Sequence, residues 1–446
     1  MTGYLSWAAL ARLGLVQVAL GSVVVLTTST LNRVMVVELA LPAMLPGLLV
    51  GLHYAVQLSR PRWGHGADAG GGRTPWIVGG VALLAAGGVG AAASTALMAS
   101  LPVLGIACAT LAFVAIGLGV GMGGTNLLAL IAIRTAPARR PAAAPLAWLM
   151  MIAGIAVTAG VAGAMLDPFT HERLVAVAAA IGVLALALTL IGTWGIERAP
   201  APAEDGPRRP AVPFRAALAE VWADARARRF TVFVFVSMLA YSAQDLILEP
   251  FAGHVFGFSP GASTALAGTQ HGGVFLGMAA TGLVGWLWGR GRPAFLRAWS
   301  VGGCVASAGA LALLALGGRY GPGWPLELNV FALGVSNGAF AVAAIGAMMA
   351  LATAGGAGRE GTRMGLWGAA QAIGFGLGGL LGALSVDAAR ALVAEPATAY
   401  AVVFAAEGLL FLAAALLAVR AGARLVAAPA PAAPVVAGEC ACAPGT

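Results

Sequence analysis

Apolar residues run through this chain in about twelve long stretches, and the polar residues collect in the gaps between them. A helix needs roughly 20 predominantly apolar residues to cross a ~30 Å hydrocarbon core. The pattern predicts spans over 12–36, 42–59, 76–98, 102–133, 143–166, 173–195, 229–249, 262–288, 294–317, 326–352, 362–386 and 398–420. The expected fold class is therefore an all-α polytopic membrane protein of twelve transmembrane helices.

Charge then orients the spans. All 25 basic residues are Arg, and 21 of them fall at the N-terminus or in the gaps after even-numbered spans. The opposite side holds only Arg33, Arg173, Arg319 and Arg390. By the positive-inside rule both termini are expected in the cytoplasm, in a bacterial inner membrane. The net charge of +8 then reflects topology, so no nucleic-acid partner is needed, and the basic face suits anionic lipid. Arg12 precedes an apolar run too long for a signal peptide, so the first span is expected to stay as an anchor. Four cysteines give no disulfide framework; Cys108 and Cys304 fall within spans, and Cys440 and Cys442 read as part of a reduced, unstructured tail.

The longest polar gap divides the spans six and six. It predicts a six-helix bundle over 1–195, a linker over 196–228, a second bundle over 229–421 and a flexible cytoplasmic tail over 422–446. Within the linker, Phe214, Leu218, Val221 and Trp222 are spaced as the apolar face of a surface helix. The loops echo one another across the halves: Gly64 to Arg73 follows the second span, and Gly285 to Arg292 follows the eighth. Such repeats point to a transporter-type architecture with its site between the halves. Gly64, Asp68, Gly71 and Arg73 match the G-x-x-x-D-x-x-G-x-R gating loop of the major facilitator superfamily, which this chain resembles. Members often carry a basic residue after the Asp; Ala69 stands there instead.

Ionisable residues inside spans are costly and mark functional positions. The first span holds Asn32, Arg33 and Glu38; its repeat equivalent, the seventh, holds Gln244, Asp245 and Glu249. Asp245 and Glu249 are four apart and share a helix face. Glu249 precedes Pro250, an expected helix end, which would put it near the interface. The opposite signs suggest that Arg33 pairs with Asp245 or Glu249 across the halves.

TLNRVMVVEL (30–39), GLHYAVQLSRPRWG (51–64) and QDLILEPFAG (244–253) together resemble the PucC/LhaA family, the bacteriochlorophyll delivery branch of that superfamily. GLHYAVQLSRPRWG is closer to the PucC side. The resemblance implies an assembly factor for light-harvesting antenna complexes that delivers bacteriochlorophyll to antenna polypeptides in the intracytoplasmic photosynthetic membrane. Bacteriochlorophyll-synthesis enzymes and membrane-insertion machinery are further implied partners.

A chlorin's central magnesium takes one axial ligand, often His. His53 and His271 lie near mid-depth of the equivalent second and eighth spans, each with a glutamine nearby, Gln57 and Gln270; His65, His171 and His254 lie in or near loops. Each mid-depth His reads either as a pigment ligand or as a hydrogen bond to a neighbouring helix. Glycine runs at 117–124 and 374–382 read as close-packing surfaces. Glu407 is expected to hydrogen-bond a neighbouring span. No hydrolase triad, phosphate loop or metal cluster argues for an enzyme. The competing reading is a proton-coupled small-solute transporter using Asp245 and Glu249.

Overall fold

Inside a bilayer the backbone must satisfy its own hydrogen bonds, so each apolar stretch has to fold as a helix. The computed structural model describes residues 4–60, 63, 72–136, 139–197, 219, 222–288, 293–353 and 360–422, and there the chain forms twelve long helical segments. The first six are α1 (Trp7–Glu38), α2 (Met44–Ser59), α3 (Thr74–Met98), α4 (Pro102–Arg134), α5 (Arg140–Leu166) and α6 (His171–Thr193). The second six are α7 (Ala225–Phe256), α8 (Pro260–Leu287), α9 (Pro293–Tyr320), α10 (Leu326–Thr353), α11 (Glu360–Leu392) and α12 (Pro396–Gly422). The gating-loop residues Gly64, Asp68 and Gly71, most of the linker, and the tail with Cys440 and Cys442 lie outside the described residues.

One apolar core is built almost wholly from α1–α6 and a second from α7–α12. Ten of the twelve segments are long and apolar enough to span a membrane. The exceptions are repeat equivalents. α2 is short, and α8 carries Ser263, Thr264, Thr269, Gln270 and His271 in its first half.

The two halves meet along two seams, α2 against α11 and α5 against α8. At the face opposite the arginine-rich one, each seam is closed by a carboxylate lent to the other half. Asp387 of α11 accepts from the Ala43 and Met44 amides at the start of α2, at 2.9 and 2.7 Å. Asp167, just after α5, accepts from the Ser259 hydroxyl at 2.8 and 3.0 Å, and that hydroxyl caps α8 by accepting from the Ala262 amide. Both place negative charge where a helix start presents free N–H groups. Gly261 makes room: a Cβ there would stand 2.5 Å from the Asp167 carboxylate.

α7 does not end at Glu249. It continues through Pro250 to Phe256, so Glu249 is 2% exposed and lies within the helix rather than at its end. The reason lies in the other half. Proline has no amide hydrogen, which strips the carbonyl four residues earlier of its helical partner. That carbonyl belongs to Leu246, and the Asn32 side-chain amide of α1 donates to it at 2.7 Å.

Candidate functional site

α1 and α7 bring the sequence-marked polar residues together at the boundary between the halves. α1 is regular to Thr28, breaks at Ser29, and finishes as a π turn over Val34–Glu38, with Leu39 N bonded to Val34 O five residues back. The wider turn swings Glu38 onto the face of Arg33, and their side chains pair at 3.0 Å. The expected pairing of Arg33 with Asp245 or Glu249 is therefore corrected in part: the close ion pair is local, and Glu249 across the boundary is a further electrostatic neighbour of the guanidinium. Arg33 still crosses the boundary, donating to the Phe258 carbonyl at 2.7 Å. Its guanidinium lies over Gly253, where a Cβ would be 2.5 Å from Nε. Thr30 and Thr264 add a hydroxyl–hydroxyl bond of 3.0 Å between α1 and α8.

The C-terminal half contributes groups that lack partners. Gln244 is fully buried and neither amide atom is hydrogen-bonded. Asp245 Oδ1, Glu249 Oε2 and both Glu407 oxygens are likewise buried without a hydrogen bond, so the bond expected for Glu407 does not form. Gln270 of α8 faces Asp245, while Ser29 and Ser263 face Glu249. Asp245 is also the common electrostatic neighbour of Tyr54, Tyr241 and Glu407. Phe375 stacks on Tyr54 at 5.8 Å and meets Tyr241 edge-on at 5.7 Å, so aromatic rings from α2, α7 and α11 border this carboxyl. Buried polar atoms are nearly always bonded, so a group of unbonded ones is a candidate place for a bound water, ligand or proton.

The two mid-depth histidines differ. His53 is 3% exposed, and its Nε2 accepts from the Gln57 amide at 2.9 Å, whose oxygen in turn accepts from Arg60. Its Nδ1 is buried without a partner. α4 presses against its backbone, since a Cβ on Gly117 would be 2.6 Å from the His53 carbonyl. His271 is half-buried, and its Nδ1 bonds the Ala267 carbonyl at 2.9 Å. Gln57 thus belongs to His53, whereas Gln270 turns to Asp245 rather than to His271. His254 lies near a loop, in the last turn of α7, and meets the Tyr400 hydroxyl at 3.0 Å.

The glycine runs pack helices, as their spacing suggests. Gly374, Gly378 and Gly382 lie against Phe235, Leu239 and Ala243 of α7. Of the gating loop, Arg73 is described: it bonds Asn126 at 3.0 Å. Sequence reasoning missed Glu197, which accepts from the Arg73 amide at 3.0 Å and the Thr74 amide at 2.7 Å and so caps α3. Partial burial pushes its carboxyl up, but these bonds and nearby Arg134 outweigh it and hold the group below its ordinary value. It also missed Asp167 and Asp387. Their signal was available: an Asp at the same end of two repeat-equivalent spans.

Comparison with known proteins adds four findings. The model of a family described as PUCC protein matches residues 30–425. A Rhodobacter capsulatus protein named bacteriochlorophyll synthase 44.5 kDa chain is 52% identical over 93% of this chain and 95% of its own. Protein PucC of Cereibacter sphaeroides is 29% identical over 90% of each chain. Among solved structures, a bacterial homologue of the human lysosomal transporter Spinster, inward-facing and unoccupied, superposes with a TM-score of 0.66 at 18% identity, over 93% of this chain and 95% of that one. The fold is that of the major facilitator transporters.

Proposed function

The chain belongs to the PucC family, and on that premise we propose that it is an assembly factor for light-harvesting antenna complexes. It binds bacteriochlorophyll and delivers it to antenna polypeptides in the intracytoplasmic photosynthetic membrane, with both termini in the cytoplasm. The carrying observation is one conjunction: a transporter-type fold in a chain with a close relative named for bacteriochlorophyll. A carrier fold suits handing over a pigment rather than making one, so the activity is non-enzymatic. The weak pair α2 and α8 supports a site at the boundary of the halves, because atypical spans in corresponding positions of a repeat mark transporter sites. Antenna polypeptides are the clients, and bacteriochlorophyll-synthesis enzymes and insertion machinery are the expected neighbours.

Deleting the gene in its phototrophic host should lower assembled antenna while free pigment is still made, and tagged protein should capture antenna polypeptides. Normal antenna levels in a clean deletion would overturn the proposal. One observation favours a second reading, proton-coupled uptake of a soluble compound: Asp245, Glu249 and Glu407 carry unbonded buried oxygens. Proton-driven uptake in vesicles alongside normal antenna would select that reading.

A further inference from the structure

His271 is held in the form that a metal ligand needs. A carbonyl oxygen can only accept, so the bond to Ala267 requires the proton to sit on Nδ1. In the neutral ring Nε2 then carries the lone pair. Among the described residues that nitrogen has no hydrogen-bond partner, and the residue is half-buried. Metal-ligating histidines show this arrangement, one nitrogen fixed by a backbone carbonyl and the other turned to the metal.

The surroundings suit a flat apolar ligand. Gly272 follows with open space where a Cβ would be. Phe275 and Leu276, one turn on, are 40% and 49% exposed. One turn before, Gly268 lies against Ala156 and Gly160 of α5, which places His271 along the α5–α8 seam. His53 offers none of this: Gln57 occupies its Nε2 and α4 covers its backbone.

We propose that His271 Nε2 is the axial ligand for the central magnesium of a tetrapyrrole lying at the α5–α8 seam, and that His53 is not a ligand. The proposal rests on the pigment-carrying reading above and names the atom that would perform it. Nε2 donates its lone pair to a vacant axial position of the magnesium; no other bond forms or breaks, and the Nδ1 proton stays with Ala267.

The test uses the full chain in detergent micelles, titrated with bacteriochlorophyll a and, separately, with metal-free bacteriopheophytin a. Binding and the coordination-sensitive visible band are read together. Wild type should prefer the magnesium pigment. His271→Leu should weaken its binding about tenfold or more, toward that of the metal-free pigment, since losing a ligand costs at least what losing its supporting partner does. His271→Gly should behave alike and recover the axial band shift on adding imidazole, which a folding defect would not allow. His53→Leu should keep the band position and the preference. Full magnesium-pigment binding by His271→Leu, or equal binding of both pigments by wild type, sinks the ligand assignment while leaving pigment carrying intact. No binding of either pigment by wild type sinks both.

Discussion

In two pairs of equivalent helices, the N-terminal member's marked residue is tied to a side chain or to another helix, and the C-terminal member's is tied to neither. On α1, Asn32 bonds a carbonyl of α7; on α7, Gln244 is buried with no bond at all. On α2, His53 bonds the Gln57 side chain through Nε2 and leaves Nδ1 buried; on α8, the half-buried His271 bonds only its own helix, through Nδ1. A repeat thus fixes where a residue stands, but its neighbours decide whether it supports the fold or faces a ligand. The N-terminal half reads as the support and the C-terminal half as the working side.

The largest contrast should appear in stability. His53→Ala removes a buried ring and orphans Gln57, which should cost about 2–3 kcal/mol. His271→Ala, at a half-buried position with only an intrahelical bond, should cost under about 1 kcal/mol. Thermal unfolding of both variants in one detergent measures the difference. Equal losses would erase the distinction between a structural and an open histidine.

A second contrast lies between Asn32 and Pro250. Asn32→Leu leaves the Leu246 carbonyl unbonded in a dry interior, at about 1–3 kcal/mol. Pro250→Ala restores the missing amide hydrogen, so the helix could satisfy that carbonyl itself. Asn32→Leu should therefore be much milder on a Pro250→Ala background, giving a clear coupling in a double-mutant cycle. Additive losses would mean that Asn32 does not stand in for the proline's missing bond.

The spans and the six-plus-six repeat were legible because hydropathy acts over twenty residues at a time. Asn32, Arg33, Gln244 and Asp245 were legible because polar residues are rare inside spans. Their partners were not. The Arg33–Glu38 pair depends on a π turn, and a five-residue separation on an ordinary helix would hold the two apart. The end of α7 was misjudged because Pro250 is tolerated through a bond from a residue over two hundred positions away. The difference between His53 and His271 needed the packing of α4 and the state of each ring nitrogen, neither of which spacing encodes.

The smallest expected effect separates the two faces of the molecule. On the far face Asp167 and Asp387 tie one half to the other, whereas on the arginine-rich face Glu197 caps α3 within the N-terminal half. Its carboxyl is held below the ordinary value, meaning that folding favours its charged form. A group depressed in this way contributes stability that is present above its unfolded value and is lost as pH falls through the folded one. Wild type should thus lose a small part of its thermal stability on acidification below the usual carboxylate range, and Glu197→Gln should start slightly lower and lose less. The site is largely solvated, so the effect should be modest and weaken in salt. Because Glu197 bridges no seam, labelling of a cysteine placed at the α2–α11 seam should be unchanged by Glu197→Gln and raised by Asp387→Ala. If Glu197→Gln also opened that seam, the division between a self-contained support half and cross-linked seams would have to be redrawn.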